Sequence, residues 1–116
     1  MPRGIFSARK NGVKLRTRRS TNDRCNIPVW LEQEIILRDR ACVYCGVVFD
    51  TGTRPSWEHI VNDELIITRE NIVLCRRSCN SSKGVKLLTI WLESAYCKRR
   101  GINLQTVAEV VKKVLV

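Results

Sequence analysis

Two pairs of cysteines near the middle of the sequence have the spacing of a metal site. Cys42 and Cys45 lie in CVYCG, and Cys75 and Cys79 lie in CRRSC. Four thiolates form a common ligand set of structural zinc, so we predict that these cysteines bind one Zn²⁺. The alternative is four unrelated buried cysteines.

The only histidine of the chain lies between the two cysteine pairs. His59 follows Glu58 in WEHIV, which places a candidate proton acceptor beside a candidate cation ligand. A Glu-His pair on a strand is more often a solvated surface pair, but its position between two cysteine pairs favours a functional site. We expect the chain to be organised around the stretch 57–84.

Periodicity and turn residues predict the elements that position these side chains. A proline at the first position and apolar residues at helical spacing predict a helix over residues 28–38. Residues 56–60 and 65–68 are predicted as two short strands, with Asn62 and Asp63 in the turn between them.

Three helices are predicted after the second strand. From about Asn71 a short helix should carry Cys75 and Cys79 on one face and end near Gly84. A second helix has an apolar stripe and ends in a basic turn before the next glycine. Asn103 is a candidate N-cap of the last helix. The last two helices either pack on the zinc unit or form a homodimer interface.

The net charge of +10 is concentrated at the start of the chain. Eight basic residues and one acidic residue give +7 before residue 25. Such an arm commonly binds polyanions, and its charges are not interleaved in an amphipathic helix as a membrane anchor requires. We expect DNA as the partner, with contacts from Arg16, Arg18 and Arg19; the alternative is a solvated tail.

Length and composition exclude several classes. A chain of 116 residues forms one small domain, so we divide it into an arm (1–26) and a folded unit (27–116) that would benefit from a metal. No apolar run reaches the roughly 18 residues of a membrane span, and no apolar leader precedes the basic residues. We therefore expect a cytoplasmic, reducing setting, in which Cys25 and Cys97 are free thiols.

Three stretches of the chain follow one another in the order CVYCG, WEHIVND and NIVLCRRSCNSSKG. Together they resemble the HNH endonuclease family, in its zinc-bound, four-cysteine subgroup of small phage and bacterial members. The resemblance covers about residues 28–97. It implies an α+β fold with a small ββα-metal (HNH, His-Me finger) core, in which a hairpin and a helix clamp one divalent cation over a scissile phosphate, with helices on its flanks. The expected compartment is the cytoplasm of a bacterial cell or a phage-infected host.

The resemblance also implies roles for individual residues. His59 matches the general base of the family. Glu58 stands where the family has a metal-binding Asp, and Asn80 stands where a final His or Asn binds the same cation. Asn71 matches the middle Asn, which fixes the loop and so the orientation of His59. The implied phosphate contacts are Arg76, Arg77 and Lys83.

Two positions depart from the family pattern. The second cysteine pair commonly has two intervening residues, whereas three separate Cys75 from Cys79. Glu58 is one methylene longer than Asp, which can favour Mn²⁺ over the smaller Mg²⁺.

The chemistry of these residues suits phosphodiester hydrolysis. The reaction needs a base for water and a charge that stabilises the phosphoryl and leaving oxygens. A neutral imidazole can be the base, while a carboxylate and an amide oxygen can hold Mg²⁺ and leave positions open for substrate. We therefore predict a DNA endonuclease that depends on Mg²⁺ or Mn²⁺. The alternatives are a non-catalytic, zinc-stabilised nucleic-acid-binding module and a zinc-stapled scaffold for a protein partner.

Overall fold

The computed structural model describes residues 26–115, and the arm residues Arg16, Arg18 and Arg19 lie outside that range. Within it the chain is a small α+β unit, as predicted. In chain order its elements are α1 (Val29–Arg38), β1 (Pro55–His59), β2 (Ile72–Arg76), α2 (Arg77–Lys83), α3 (Leu88–Leu92), α4 (Ala95–Arg100) and α5 (Glu109–Val114). Over residues 26–115, every helix is too short or too polar to cross a lipid bilayer.

β1 and β2 form a two-stranded antiparallel sheet that is covered on both faces. Successive side chains of a strand point to opposite faces. Ile72 and Leu74 therefore pack against α1, whereas Val73 and Cys75 pack in a second core with α3, α4 and α5. Burial on both faces explains why β2 is a continuous apolar run without alternation.

Trp91 is the centre of the larger core. Its ring is fully buried and lies edge-on to Tyr44, with the ring centroids 4.9 Å apart. Its indole Nε1 donates a hydrogen bond to Ser82 Oγ over 2.9 Å, so the one polar atom of the ring is satisfied. This side chain connects α3 to the segment between Cys42 and Cys45 and to α2.

The C-terminal end of α1 is fixed to β2 by a pair of charged residues. Buried Asp39 accepts a hydrogen bond from Leu74 N over 3.0 Å and pairs with Arg38 Nε over 2.7 Å. Arg38 also donates to the carbonyl oxygens of Arg69 and Ile72. These bonds hold α1 on one face of the sheet.

The second strand and the helix after it lie later in the chain than predicted. Residues 65–68 belong to the loop between the strands, and the expected helix from Asn71 is wrong because residues 72–76 form β2. The β-branched and apolar run in this segment pairs with β1 and buries both of its faces, which outweighs its helical potential. Cys75 therefore lies on a strand and Cys79 on α2, not on one face of one helix.

The remaining boundaries are confirmed in part. The first helix and the first strand lie within a residue of their predicted bounds, and α2 ends at Gly84, whose φ is +52°. The helix predicted after Gly84 is divided into α3 and α4, because Ser94 Oγ accepts from Cys97 N and caps a new helix. Asn103 does not cap α5; its Oδ1 accepts from the backbone of Gln105 and Thr106 in a turn.

Candidate functional site

The segment around the first cysteine pair is a tight knuckle. An isolated bridge joins Ala41 to Val48, and Gly46 takes a φ of +80° that favours glycine. Gly46 N donates to Cys42 O over 2.9 Å, and Cys45 N lies 3.4 Å from Cys42 Sγ. The backbone thus turns one of its amides toward the first sulfur.

Three of the four predicted zinc ligands come together. The Sγ atoms of Cys42, Cys45 and Cys79 lie within 4.8 Å of one another and could hold a metal ion. Cys42 and Cys79 are buried and Cys45 is half-buried. Cys75 lies on β2 and is not a member of this group, although it packs in the same larger core as Cys42 and Cys79. The boundary between β2 and α2, after Arg76, lies between the two cysteines and places them on different elements.

The electrostatics also distinguish Cys42 from Cys75. A hydrogen bond with the Cys79 side chain, helped by the backbone N–H groups of Cys45 and Arg76, lowers the pKa of Cys42 to about 5. Burial raises the pKa of Cys75 far above that of a free thiol. Because the thiolate is the form that binds metal, Cys42 is prepared for ligation. The same hydrogen bond raises the pKa of its partner Cys79, so Cys79 and Cys75 both lose a proton only when a metal ion binds.

Glu58 lies in the interior between β1 and α2. The residue is 7% exposed, and its Oε2 accepts a hydrogen bond from Tyr44 Oη over 2.9 Å. The same oxygen lies 2.9 Å from Lys83 Nζ, and the Lys83 side chain is 0% exposed. Burial raises the pKa of Glu58, while the ammonium and the phenol act in the opposite direction.

This arrangement contradicts the prediction that Lys83 contacts phosphate, because its ammonium faces Glu58 and not solvent. Tyr44, the residue within the knuckle that completes the network, was not predicted either. The separation of these residues along the chain gives no signal for such a contact.

His59 and Glu58 project from opposite faces of β1 because they are adjacent on a strand. His59 lies opposite Ile72 in the sheet and is half-buried. Among the residues that the structure describes, none gives its enclosed Nε2 atom a hydrogen-bond partner. Burial lowers the pKa of His59 below its usual 6.5, although Glu64 and Asp63 oppose this shift. The ring is therefore neutral at pH 7.

Asn71 ties together the loop that follows His59. Its Oδ1 accepts from Val61 N over 2.7 Å, and its Nδ2 donates to the carbonyl oxygens of Val61 and Ile66 over 3.2 and 3.1 Å. The residue is 4% exposed, so these bonds are shielded from water. Both ends of the amide thus hold the loop in one conformation, which is the contact that the resemblance implied.

Replacing Asn71 with Ala should lower the free energy of unfolding by about 1–3 kcal/mol, because backbone groups of the loop lose their partners. Denaturant titration of the parent and the variant measures this change. Asn103→Ala is the matched control, since Asn103 also bonds to a local backbone but is exposed. Equal midpoints for Asn71→Ala and the parent would show that the amide does not hold the loop.

Asn80 connects α2 to β1. Its Nδ2 donates to Ser56 Oγ over 2.9 Å and to Trp57 O over 3.1 Å, and the residue is half-buried. Ser56 lies on the same face of β1 as Glu58, and Lys83 follows Asn80 by about one turn of α2. The face of α2 that meets β1 therefore carries an amide and an ammonium.

The two arginines after Cys75 lie where the chain passes from β2 to α2: Arg76 ends the strand and Arg77 begins the helix. Arg76 is half-buried and Arg77 is exposed, so both reach the surface next to the cysteine cluster. Arg76 N also lies 3.1 Å from Cys42 Sγ. A contact of either side chain with a polyanion is compatible with these positions.

Comparisons with known proteins do not identify the chain. No protein-family model, curated protein or solved structure matches it. Its function must therefore be inferred from the residues of the site and their geometry.

Proposed function

We propose that this chain is an HNH-type endonuclease that hydrolyses phosphodiester bonds of DNA, with a ββα-metal core formed by β1, β2 and α2. The observation that carries the proposal is the imidazole of His59, whose enclosed Nε2 has no partner among the described residues and whose pKa is lowered by burial. A general base needs a neutral ring with a free nitrogen. A buried unpaired nitrogen in a native fold calls for a reason, and catalysis is one such reason.

Zinc bound by cysteine would stabilise this core. Three sulfurs lie close enough to share one ion, and one of them has the low pKa of a thiolate. Thiolate sulfur is the ligand that structural zinc prefers, so the donor set fits the ion. The geometry supports Cys42, Cys45 and Cys79 as the ligands, a smaller set than the four cysteines that the resemblance implies.

The donor set for a catalytic Mg²⁺ or Mn²⁺ comprises the carboxylate of Glu58 and the Oδ1 of Asn80. Both are hard oxygen ligands of the kind that these cations bind. In this structure the Glu58 carboxylate balances the positive charge of Lys83. Such a cation, when bound, would stabilise the charge on the phosphoryl oxygens and on the leaving oxygen.

The other steps of the proposed mechanism are assigned to individual residues of the chain. His59 accepts the proton of the attacking water at Nε2, and Asn71 holds the loop that follows it. Asn80 fixes α2 against β1 through its amide nitrogen. Nε2 is enclosed in this conformation, so the mechanism requires that substrate binding expose it to water.

Incubation with supercoiled plasmid tests the proposal. Zinc-loaded protein should convert the plasmid into nicked or linear DNA after addition of Mg²⁺ or Mn²⁺, and should leave it intact in cation-free buffer. Omitting the cation is a better control than adding EDTA, because EDTA also removes zinc. Intact plasmid at every concentration of either cation would contradict the endonuclease assignment.

A second candidate is a zinc-stabilised module that binds nucleic acid and does not cut it. The buried pair of Glu58 and Lys83 favours this candidate, because the carboxylate already has a cationic partner. Binding to DNA without cleavage in the plasmid assay would distinguish it from the endonuclease.

Both candidates predict that the basic arm binds phosphates independently of the DNA sequence. Deleting residues 1–24 should flatten the slope of log affinity against log salt, by roughly 0.9 for each phosphate that the arm neutralises on duplex DNA. Fluorescence anisotropy at several salt concentrations measures the slope. The same measurement on the double variant Arg76→Ala with Arg77→Ala tests whether the surface near the start of α2 also binds phosphates. An unchanged slope after deletion would show that the arm does not bind DNA.

A further inference from the structure

The pair of Glu58 and Lys83 is the most deeply buried charged contact between two elements of the described chain. Lys83 Nζ lies 2.9 Å from Glu58 Oε2, and the two side chains are 0% and 6% exposed. Lys83 Nζ also lies 3.5 Å from His59 O, while Tyr44 Oη donates to the same carboxylate oxygen. A buried charge needs such partners, since water cannot solvate it.

The carboxylate therefore has its charge balanced from within the protein. A divalent cation at Glu58 would face a positive charge at very short range, and burial would strengthen that repulsion relative to water. Lysine can resolve the conflict because its ammonium sits on a flexible four-carbon stem. The stem emerges from the last turn of α2, where the helix ends at Gly84.

We infer that Lys83 competes with a divalent cation for Glu58, so that the cation binds only when the ammonium leaves the carboxylate. This inference rests on the proposed function, which makes Glu58 a cation ligand. Under this inference Lys83 affects the affinity for the cation although it is not one of the cation's ligands. Lys83 thereby sets how much Mg²⁺ or Mn²⁺ is needed to fill the site.

Binding of Mn²⁺ alone, without DNA, tests the inference. Zinc-loaded parent and Lys83→Met are titrated with Mn²⁺ by isothermal calorimetry, with free Mn²⁺ followed by electron paramagnetic resonance. Removing the competing charge should tighten Mn²⁺ binding at least about tenfold. The double variant Glu58→Gln with Lys83→Met is the control, and it should not show this gain because the ligand is gone.

Lys83→Met leaves the Glu58 carboxylate buried and unpaired, so Lys83→Gln, which retains a hydrogen-bond donor, is prepared beside it. Mn²⁺ should raise the melting temperature of Lys83→Gln, or of Lys83→Met where it folds, and should not raise that of the double variant. Equal Mn²⁺ affinities of the parent and the uncharged variants, or no Mn²⁺ binding by any of them, would overturn the inference. A plasmid that stays intact while Lys83→Gln gains Mn²⁺ affinity would instead contradict the proposed function alone.

Discussion

Serine at Cys42 or Cys79 should abolish zinc binding and unfold the domain. The apparent free energy of zinc binding to small folded units is about 10–16 kcal/mol, which is comparable to or greater than the roughly 5–15 kcal/mol by which a domain is stable. Both sulfurs belong to the three-cysteine cluster: Cys42 connects the knuckle to it, and Cys79 connects α2 to it. Native mass spectrometry gives the zinc content, and circular dichroism gives the folded fraction.

Two buried thiols outside the cluster are the matched controls. Cys75 and Cys97 are 0% exposed, as Cys79 is, so serine imposes a similar cost of burying a hydroxyl group at all three positions. We expect Cys75→Ser and Cys97→Ser to retain one zinc per chain. Loss of zinc from Cys75→Ser would restore the four-cysteine site that the sequence pattern predicts. A folded protein without metal would contradict the zinc centre itself.

Features set by neighbours in the sequence were predictable. The knuckle of the first cysteine pair depends on a turn of a few residues that ends in Gly46, and its local hydrogen bonds follow from that turn. The end of α2 at Gly84 is likewise a local signal. The loop contacts of Asn71 were anticipated through the resemblance, and composition and periodicity gave no sign of them.

Features set by distant contacts were not predictable. Residues 72–75 are equally apolar on both sides, so their pattern does not distinguish a buried strand from a helix. Pairing with β1 and burial against two cores decide the outcome, and both depend on segments far away in the sequence. The separation of Cys75 from Cys79 follows from that choice.

The pairing of Glu58 with Lys83 illustrates the same limit. The two residues are far apart in the sequence, and a lysine near the end of a helix ordinarily faces solvent. Its burial follows from the way α2 crosses β1, which brings Asn80 onto the strand and carries Lys83 over Glu58. The sequence pattern indicated the carboxylate as a functional candidate but did not reveal its partner.

His59→Ala should reduce the rate of plasmid cleavage by about 10²–10⁴-fold, which is the usual contribution of a general base. The chain has no second histidine that could take its place. Zinc content, the folded fraction and DNA affinity should stay close to those of the parent, because the ring acts through a proton in the transition state. The rates are compared at saturating Mn²⁺, so that a change in cation affinity does not affect the comparison.

The pattern of rescue separates the base from the cation ligands. Glu58→Ala and Asn80→Ala weaken cation binding in the proposed mechanism, so higher Mn²⁺ should recover part of their activity. No concentration of Mn²⁺ should recover His59→Ala, since the missing group is the proton acceptor. Stability of each variant is checked first, because Glu58→Ala also leaves Lys83 buried without its partner.

The pH dependence provides an independent readout of His59. Burial lowers the pKa of this histidine below 6.5, and only the neutral ring accepts a proton. The cleavage rate of the parent should therefore rise with pH through that lowered pKa and level off by pH 7. The residual rate of His59→Ala should lack this rise. If His59→Ala cleaved plasmid as fast as the parent, the nuclease mechanism would be contradicted. The zinc-stabilised nucleic-acid-binding module would then be the remaining function.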